Sequence, residues 1–160
     1  MNLHTNWAAT TSGAVLATVA MILLPGGVAG ADLVVDELTG FTSPSGNIGC
    51  VIEPSYVRCD IRERDWSAPP RPPGCEFDYG QGISLSGALS GALSDAPSGG
   101  QGASFVCAGD TALGGGAPLD YGSSISAGTV TCTSTLAAMS CTDSRSGHGF
   151  TMSRQSYATF

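Results

Sequence analysis

Three side chains are the first candidates for chemistry in this sequence: His148, Asp110 and Arg154. His148 lies between glycines in Gly147-His-Gly-Phe150, a setting that suits either close approach to a ligand or a tight turn. An imidazole can transfer protons near neutral pH, so His148 with a nearby serine or with Asp110 would suit a small envelope hydrolase. Because the chain contains no Gly-x-Ser-x-Gly sequence, a structural His148 is the alternative.

Asp110 stands in Gly109-Asp-Thr-Ala112, which resembles the catalytic turn of aspartic proteases. Those enzymes need two carboxylates that share a proton, and the chain has no second copy of this turn. We therefore expect Asp110 to cap its own turn, with its carboxylate bonded to Thr111 or to later amides. Arg154, with Arg58 and Arg64, could hold an anion, although arginines among thirteen acidic residues more often form surface ion pairs.

Neither a metal nor a cofactor is expected. If the cysteines are oxidised, His148 and scattered carboxylates remain, and none of them has the spacing of a zinc site or a calcium loop. The formal net charge of −7, without a single lysine, argues against nucleic acid and anionic membranes as partners, since both attract basic surfaces. The predicted partner is an unidentified protein or a cell-envelope ligand.

The N-terminus has the pattern of an export signal. An apolar run over residues 14–24 is followed by Pro25-Gly-Gly27 and by Ala29-Gly-Ala31, the small-x-small pattern that signal peptidase needs. The run is shorter than the roughly 20 residues that span a bilayer. We therefore predict a signal peptide over 1–31, no stable membrane anchor after its cleavage, and a secreted or cell-envelope location.

The cysteines predict how the rest of the chain folds. Two of the three sequential pairs have the spacing C-x8-C, at Cys50/Cys59 and Cys132/Cys141. If each pair is opposed on antiparallel strands, Ile48 pairs with Ile61 and Ile52 with Val57, and likewise Val130 with Asp143 and Ser134 with Met139. Two hairpins with cross-strand disulfides follow, and Cys75–Cys107 is our choice for the third bridge.

The remaining segments predict a single all-β domain over residues 41–160, a small barrel or sandwich, preceded at 32–40 by a linker or edge segment. Further strands are expected at 104–108, 123–126 and 149–153. A Gly/Ser-rich loop is expected over 84–104, or a short helix through Leu85, Leu89 and Leu93. A helical turn capped by Ser153 is expected over 153–160. The likeness of the two C-x8-C segments reflects either an internal duplication or convergent hairpin chemistry.

Several strings of this chain together resemble a group of small exported actinobacterial proteins, many of them mycobacterial, classed as a domain of unknown function. The resemblance covers most of residues 41–160, and it implies export and the cysteine framework but no activity. The strings are Phe41-Thr-Ser-Pro-Ser-Gly-Asn-Ile-Gly-Cys50, Val57-Arg-Cys-Asp60, Trp66 with Pro69-Pro70, Cys107-Ala-Gly-Asp-Thr111, Leu119-Asp-Tyr-Gly122 and Gly147-His-Gly-Phe-Thr-Met-Ser-Arg154.

The sequence leaves three functions open. The favoured function is a non-catalytic module that binds a protein or a cell-envelope component, because no complete catalytic or metal-binding set of residues stands in the sequence. The alternatives are the small hydrolase built on His148 and a structural protein of the cell wall.

Overall fold

The computed structural model describes Met1, residues 30–86 and residues 102–160, and its elements are all β-strands. Most of the predicted signal peptide (2–29), most of the predicted Gly/Ser-rich loop, Leu89 and Leu93 lie outside these residues. Twelve strands run in chain order: β1 Asp32–Val35, β2 Thr39–Thr42, β3 Ile48–Glu53, β4 Tyr56–Ile61, β5 Asp78–Ser86, β6 Gly102–Ala108, β7 Ala117–Pro118, β8 Ser124–Ala127, β9 Val130–Ser134, β10 Met139–Asp143, β11 Gly149–Met152 and β12 Tyr157–Thr159.

The strands form two open six-stranded sheets packed face to face, so the all-β prediction is confirmed as a sandwich rather than a barrel. One sheet has the order β6-β5-β4-β3-β2-β7 and the other the order β12-β11-β10-β9-β8-β1. Within the part of the chain that the structure describes, no helix has the length and apolar character needed to cross a membrane.

The two sheets have the same topology. Strands β2–β6 form one antiparallel meander and β8–β12 form the other. The first strand of each half is exchanged, because β1 pairs in parallel with β8 while β7 pairs in parallel with β2. We call β1–β6 the first repeat and β7–β12 the second repeat. The segment at 32–35 is thus an edge strand that holds the two repeats together.

The hairpin at the centre of each sheet has the register expected from the cysteine spacing. Cys50 is opposite Cys59 and Cys132 is opposite Cys141, each bridged with Cα atoms 4.1 Å apart. The structure also contains the Cys75–Cys107 bridge, and no cysteine is free. The two hairpin disulfides touch across the core, with the Sγ atoms of Cys59 and Cys141 3.9 Å apart.

An aromatic cluster joins the two sheets at their β6 and β12 edges. Tyr157 on β12 packs against Trp66 and against Phe105 on β6, at centroid distances of 4.6 Å and 4.9 Å. The indole Nε1 of Trp66 donates a hydrogen bond to the Ser153 carbonyl at 2.9 Å. These contacts cover side chains that the ends of an open sandwich would otherwise expose.

Two sequence predictions about local structure were wrong. Residues 153–160 form no helical turn: Ser153 closes a turn by accepting from the Ser156 amide at 3.2 Å, and β12 then pairs with β11. Leu85 is a buried residue of β5, not the start of a helix. In both places pairing with a neighbouring strand outweighs the local helical pattern, because tertiary packing overrides weak intrinsic propensity.

Candidate functional site

Asp110 belongs to an ion-pair network on the outer face of the first repeat, of which the Arg58–Asp60 pair is buried. Arg58 on β4 donates from Nε and Nη2 to the two carboxylate oxygens of Asp60, at 2.9 Å and 2.8 Å. Its Nη1 donates to the Asp110 carboxylate at 2.7 Å. The side chain of Asp60 is 1% exposed and that of Arg58 is 11% exposed, whereas that of Asp110 is 82% exposed.

This network fastens the crossing loop, residues 109–116, which runs over the outer face of the sheet from β6 toward β7. Asp60 accepts hydrogen bonds from the Thr111 hydroxyl at 3.0 Å and from the Ala112 amide at 2.8 Å. The loop passes so close to β3 that a Cβ on Gly49 would lie 2.5 Å from the Ala112 carbonyl oxygen. The expected turn-capping role of Asp110 was therefore wrong, because Asp60 accepts those bonds and Asp110 binds Arg58 instead.

The charges in this network are mutually compensated. Burial alone would lower the pKa of Arg58, but its hydrogen bonds with Asp60 and Asp110 raise it above its usual value. The hydrogen bond from Arg58 and its positive charge lower the pKa of Asp110. A shallow hollow of about 190 Å³ adjoins the network. Because the carboxylates of Asp60 and Asp110 already accept hydrogen bonds, the network fits a structural clamp better than an acid–base site.

His148 lies far from this clamp. Its ring stands beside Gly102 at the start of β6, since a Cβ on Gly102 would be 3.7 Å from the imidazole Cγ. Asp110 follows the end of β6, so the length of this seven-residue strand, roughly 20 Å, separates the two side chains. The pairing of His148 with Asp110, which the hydrolase alternative allowed, is therefore not formed.

The contacts of His148 belong to the β10–β11 turn and the C-terminus. Its Nδ1 lies 3.3 Å from the Phe160 carbonyl oxygen, and its backbone amide donates to the Ser146 hydroxyl at 3.2 Å. That hydroxyl in turn donates to Asp143 at 2.8 Å. The Ser146 hydroxyl thus bonds to the His148 backbone amide and to a buried carboxylate. In an activated nucleophile the hydroxyl would bond to the imidazole ring instead.

Arg154 lies at the end of the sandwich where loops from both repeats meet. It forms exposed ion pairs with Glu63 at 3.3 Å and with Asp65 at 3.4 Å. Beside it opens a cleft of about 150 Å³, which we call the loop-end cleft. Its walls are the β2–β3 loop, the β9–β10 loop, the β11–β12 turn and Tyr121. Of the three predicted site residues, Arg154 is the one that borders this cleft.

The floor of the loop-end cleft combines apolar side chains with a hydroxyl. Ile48 and Met139 are buried core residues that line it. Ser134, at an inward position of β9, is 1% exposed, and its Oγ has no hydrogen-bond partner among the described residues. A buried hydroxyl without a partner costs free energy, so such a group calls for an explanation. The predicted pairing of Ser134 with Met139 is confirmed, and a polar residue at this inward position was the sequence signal that could have indicated the cleft.

Groups of three or more metal-ligating side chains do not occur among the described residues.

No curated protein and no solved structure matches the chain. A family model matches residues 17–160. Small size and three disulfides indicate an extracytoplasmic protein. The chain belongs to DUF6636, a family of unknown function.

Proposed function

We propose that the chain is a non-catalytic binding module of the cell envelope and that it holds its ligand in the loop-end cleft. The observation that carries this proposal is the buried hydroxyl of Ser134, a residue that lines the cleft, which has no hydrogen-bond partner in the part of the chain that the structure describes. Binding sites are concave, largely apolar and equipped with a few polar groups, and the cleft has this composition. The predicted signal peptide and the three disulfides support the location outside the cytoplasm.

The other functions have less support. The hydrolase alternative needs a serine or a carboxylate beside the His148 ring, and the Nδ1 atom of the ring lies instead 3.3 Å from the Phe160 carbonyl oxygen. Asp110 is held by Arg58 at the other end of β6. A purely structural wall protein would not need the cleft at all, so blocking the cleft separates that function from the proposed one.

Retention on isolated cell-envelope material tests the proposal. The full-length protein, exported by an actinobacterial host and oxidised, is incubated with that host's envelope fraction, and the bound share is measured. Ala137 is exposed on the wall of the cleft, so Ala137→Tyr fills the opening without touching the core. Ala158→Tyr, at an exposed position of β12, is the matched control.

We expect Ala137→Tyr to lower retention at least about tenfold, as the loss of a single binding pocket would, and Ala158→Tyr to leave it unchanged. Equal retention of both variants would contradict the proposal and favour a structural role. Absence of any retention of the unaltered protein would also contradict it.

A further inference from the structure

The loop-end cleft exists because the two repeats differ in length at two pairs of equivalent connections. In the first repeat the β2–β3 loop spans residues 43–47, whereas its counterpart in the second repeat, the β8–β9 turn, spans only 128–129. The β9–β10 loop spans 135–138, whereas the β3–β4 turn spans 54–55. The two longer loops face each other across the cleft.

At the opposite end of the sandwich the two short turns pack against each other. Gly128 approaches Pro54 so closely that a Cβ there would lie 2.3 Å from the Pro54 carbonyl oxygen. The position equivalent to Ser134 is Ile52, because each lies two residues beyond the first cysteine of its hairpin. Ile52 is fully buried in the core. One end is thus sealed with apolar side chains, while the other is open and is lined by Ser134, whose buried hydroxyl has no partner among the described residues.

From this arrangement we propose that the loop-end cleft binds the terminal pyranose ring of a neutral glycan. This proposal rests on the proposed function and names its ligand class. A cavity of about 150 Å³ can hold a single six-membered ring, since an apolar cavity of that size holds benzene. The volume therefore accommodates one ring, while the substituents of a sugar would extend out of the open cleft.

The lining of the cleft matches both the apolar C–H groups and the hydroxyl groups of a sugar ring. Ile48 and Met139 offer an apolar surface to the C–H groups, and Tyr121, 43% exposed, offers an aromatic ring at the wall. Ser134 Oγ can both donate to and accept from a sugar hydroxyl. Such a bond would satisfy the one buried side-chain polar atom that has no partner among the described residues.

The charge at the cleft favours a neutral ligand. Arg154 is the charged side chain among the described residues that line it, and its guanidinium already faces Glu63 and Asp65. These carboxylates offset the positive charge of Arg154 and would repel an anionic sugar, while a neutral one can accept a hydrogen bond from the remaining N–H groups of the guanidinium.

A second hollow adjoins the cleft at the place where the sugars next to the terminal ring would lie. It has a volume of about 370 Å³ and shares Ser45, Asn47 and Arg154 with the cleft. Its further lining, Gly46, Arg62 and Glu63, contributes polar or backbone groups. A chain whose end ring occupies the cleft would therefore continue along a polar surface, which suits linked sugars.

Titration of the ¹⁵N-labelled, oxidised protein with methyl glucoside, methyl mannoside and methyl galactoside tests this proposal by NMR. Methyl glucuronide and inorganic phosphate are the anionic comparisons. Because so small a ligand reaches only about millimolar affinity, the titration extends to roughly 100 mM. The variants are Ser134→Ala and, on the outer face of the same hairpin, Ser140→Ala as the matched control.

We expect saturable shifts of the Asn47, Ala137 and Ala138 amides with at least one neutral glycoside. Ser134→Ala should weaken binding about tenfold, as loss of one hydrogen bond does, and Ser140→Ala should not. No saturable shift with any neutral glycoside would overturn the proposal, as would tighter binding of either anion or unchanged affinity of Ser134→Ala.

The two proposals fail in different ways. If envelope retention depends on Ala137 but no glycoside binds, the cleft takes another ligand, and only the glycan inference falls. If retention is also absent or insensitive to Ala137→Tyr, the binding module falls as well.

Discussion

The two C-x8-C hairpins share spacing, register and disulfide, but they differ in the side chains that flank the disulfide inside the core. Around Cys50–Cys59 the flanking pairs are Ile48 with Ile61 and Ile52 with Val57, all apolar and buried. Around Cys132–Cys141 one partner of each flanking pair is polar: Asp143 opposite Val130, and Ser134 opposite Met139.

The difference separates two uses of a buried polar group. Asp143 is fully buried, and it accepts hydrogen bonds from the Ser146 hydroxyl and from the Arg145 and Ser146 amides, so it organises the β10–β11 turn. Ser134 has no such partner among the described residues and faces the loop-end cleft. The disulfide of the first hairpin is therefore flanked by apolar pairs alone, whereas the second hairpin has polar residues there that organise a turn and line a candidate site.

The largest expected effect tests what the hairpins have in common. Replacing either hairpin disulfide by two alanines should lower the free energy of unfolding by about 3–5 kcal/mol, since each bridge closes an equally short loop and fills the core. Urea denaturation of the oxidised double variants measures this loss. A difference of more than about 2 kcal/mol between them would show that the repeats do not share one framework.

The next effect tests the difference at Ile52 and Ser134. Ile52→Ser should cost about 4 kcal/mol, because it creates a cavity and buries a hydroxyl in the sealed end of the sandwich. Ile52→Val, which removes one methyl group, should cost about 1 kcal/mol. Denaturant unfolding of both variants gives the comparison. A small loss for Ile52→Ser would contradict the view that this end of the sandwich is sealed by apolar packing.

A smaller effect distinguishes Asp143 from its counterpart Ile61. Burial alone would raise the pKa of Asp143, but hydrogen bonds from Thr129 and Ser146 lower it. A lowered folded pKa contributes stability above the unfolded value of about 4, and this stability is lost as the pH falls below it.

Asp143→Asn should therefore lower stability by about 2 kcal/mol at pH 7 and much less at pH 3, through loss of the charged acceptor. Unfolding midpoints at the two pH values measure the change. Ile61→Val should have the same effect at both. If Asp143→Asn showed an equal loss at both pH values, the carboxylate would not be the source of the acid dependence.

The sequence could predict the centre of each sheet but not how the sheets are joined. Cys50 and Cys59 determine a register because opposed cysteines leave one alignment for their apolar neighbours. The exchange of β1 and β7 has no such local signal, since Leu33 pairs with Ile125 in a strand remote in sequence. Likewise, residues 157–159 form a strand because they pair with the edge of β11, the strand that contains Phe150.

The candidate residues show the same limit. Asp110 and Asp60 are both acidic residues near Thr111, and only the path of the crossing loop decides which of them accepts its hydrogen bond. Several strings that carried the family resemblance contain residues of this clamp, Gly49, Arg58, Asp60, Asp110 and Thr111. These residues of the strings therefore have contacts that hold the crossing loop on the sheet.

The most direct test of the whole account is Ser134→Ala, measured for both unfolding free energy and retention on the envelope fraction. If Ser134 is kept for binding, its removal should leave stability unchanged or raise it by about 1 kcal/mol, because an unpartnered buried hydroxyl disappears. Retention should fall about tenfold. Lower stability with unchanged retention would contradict the account and make Ser134 an ordinary structural residue.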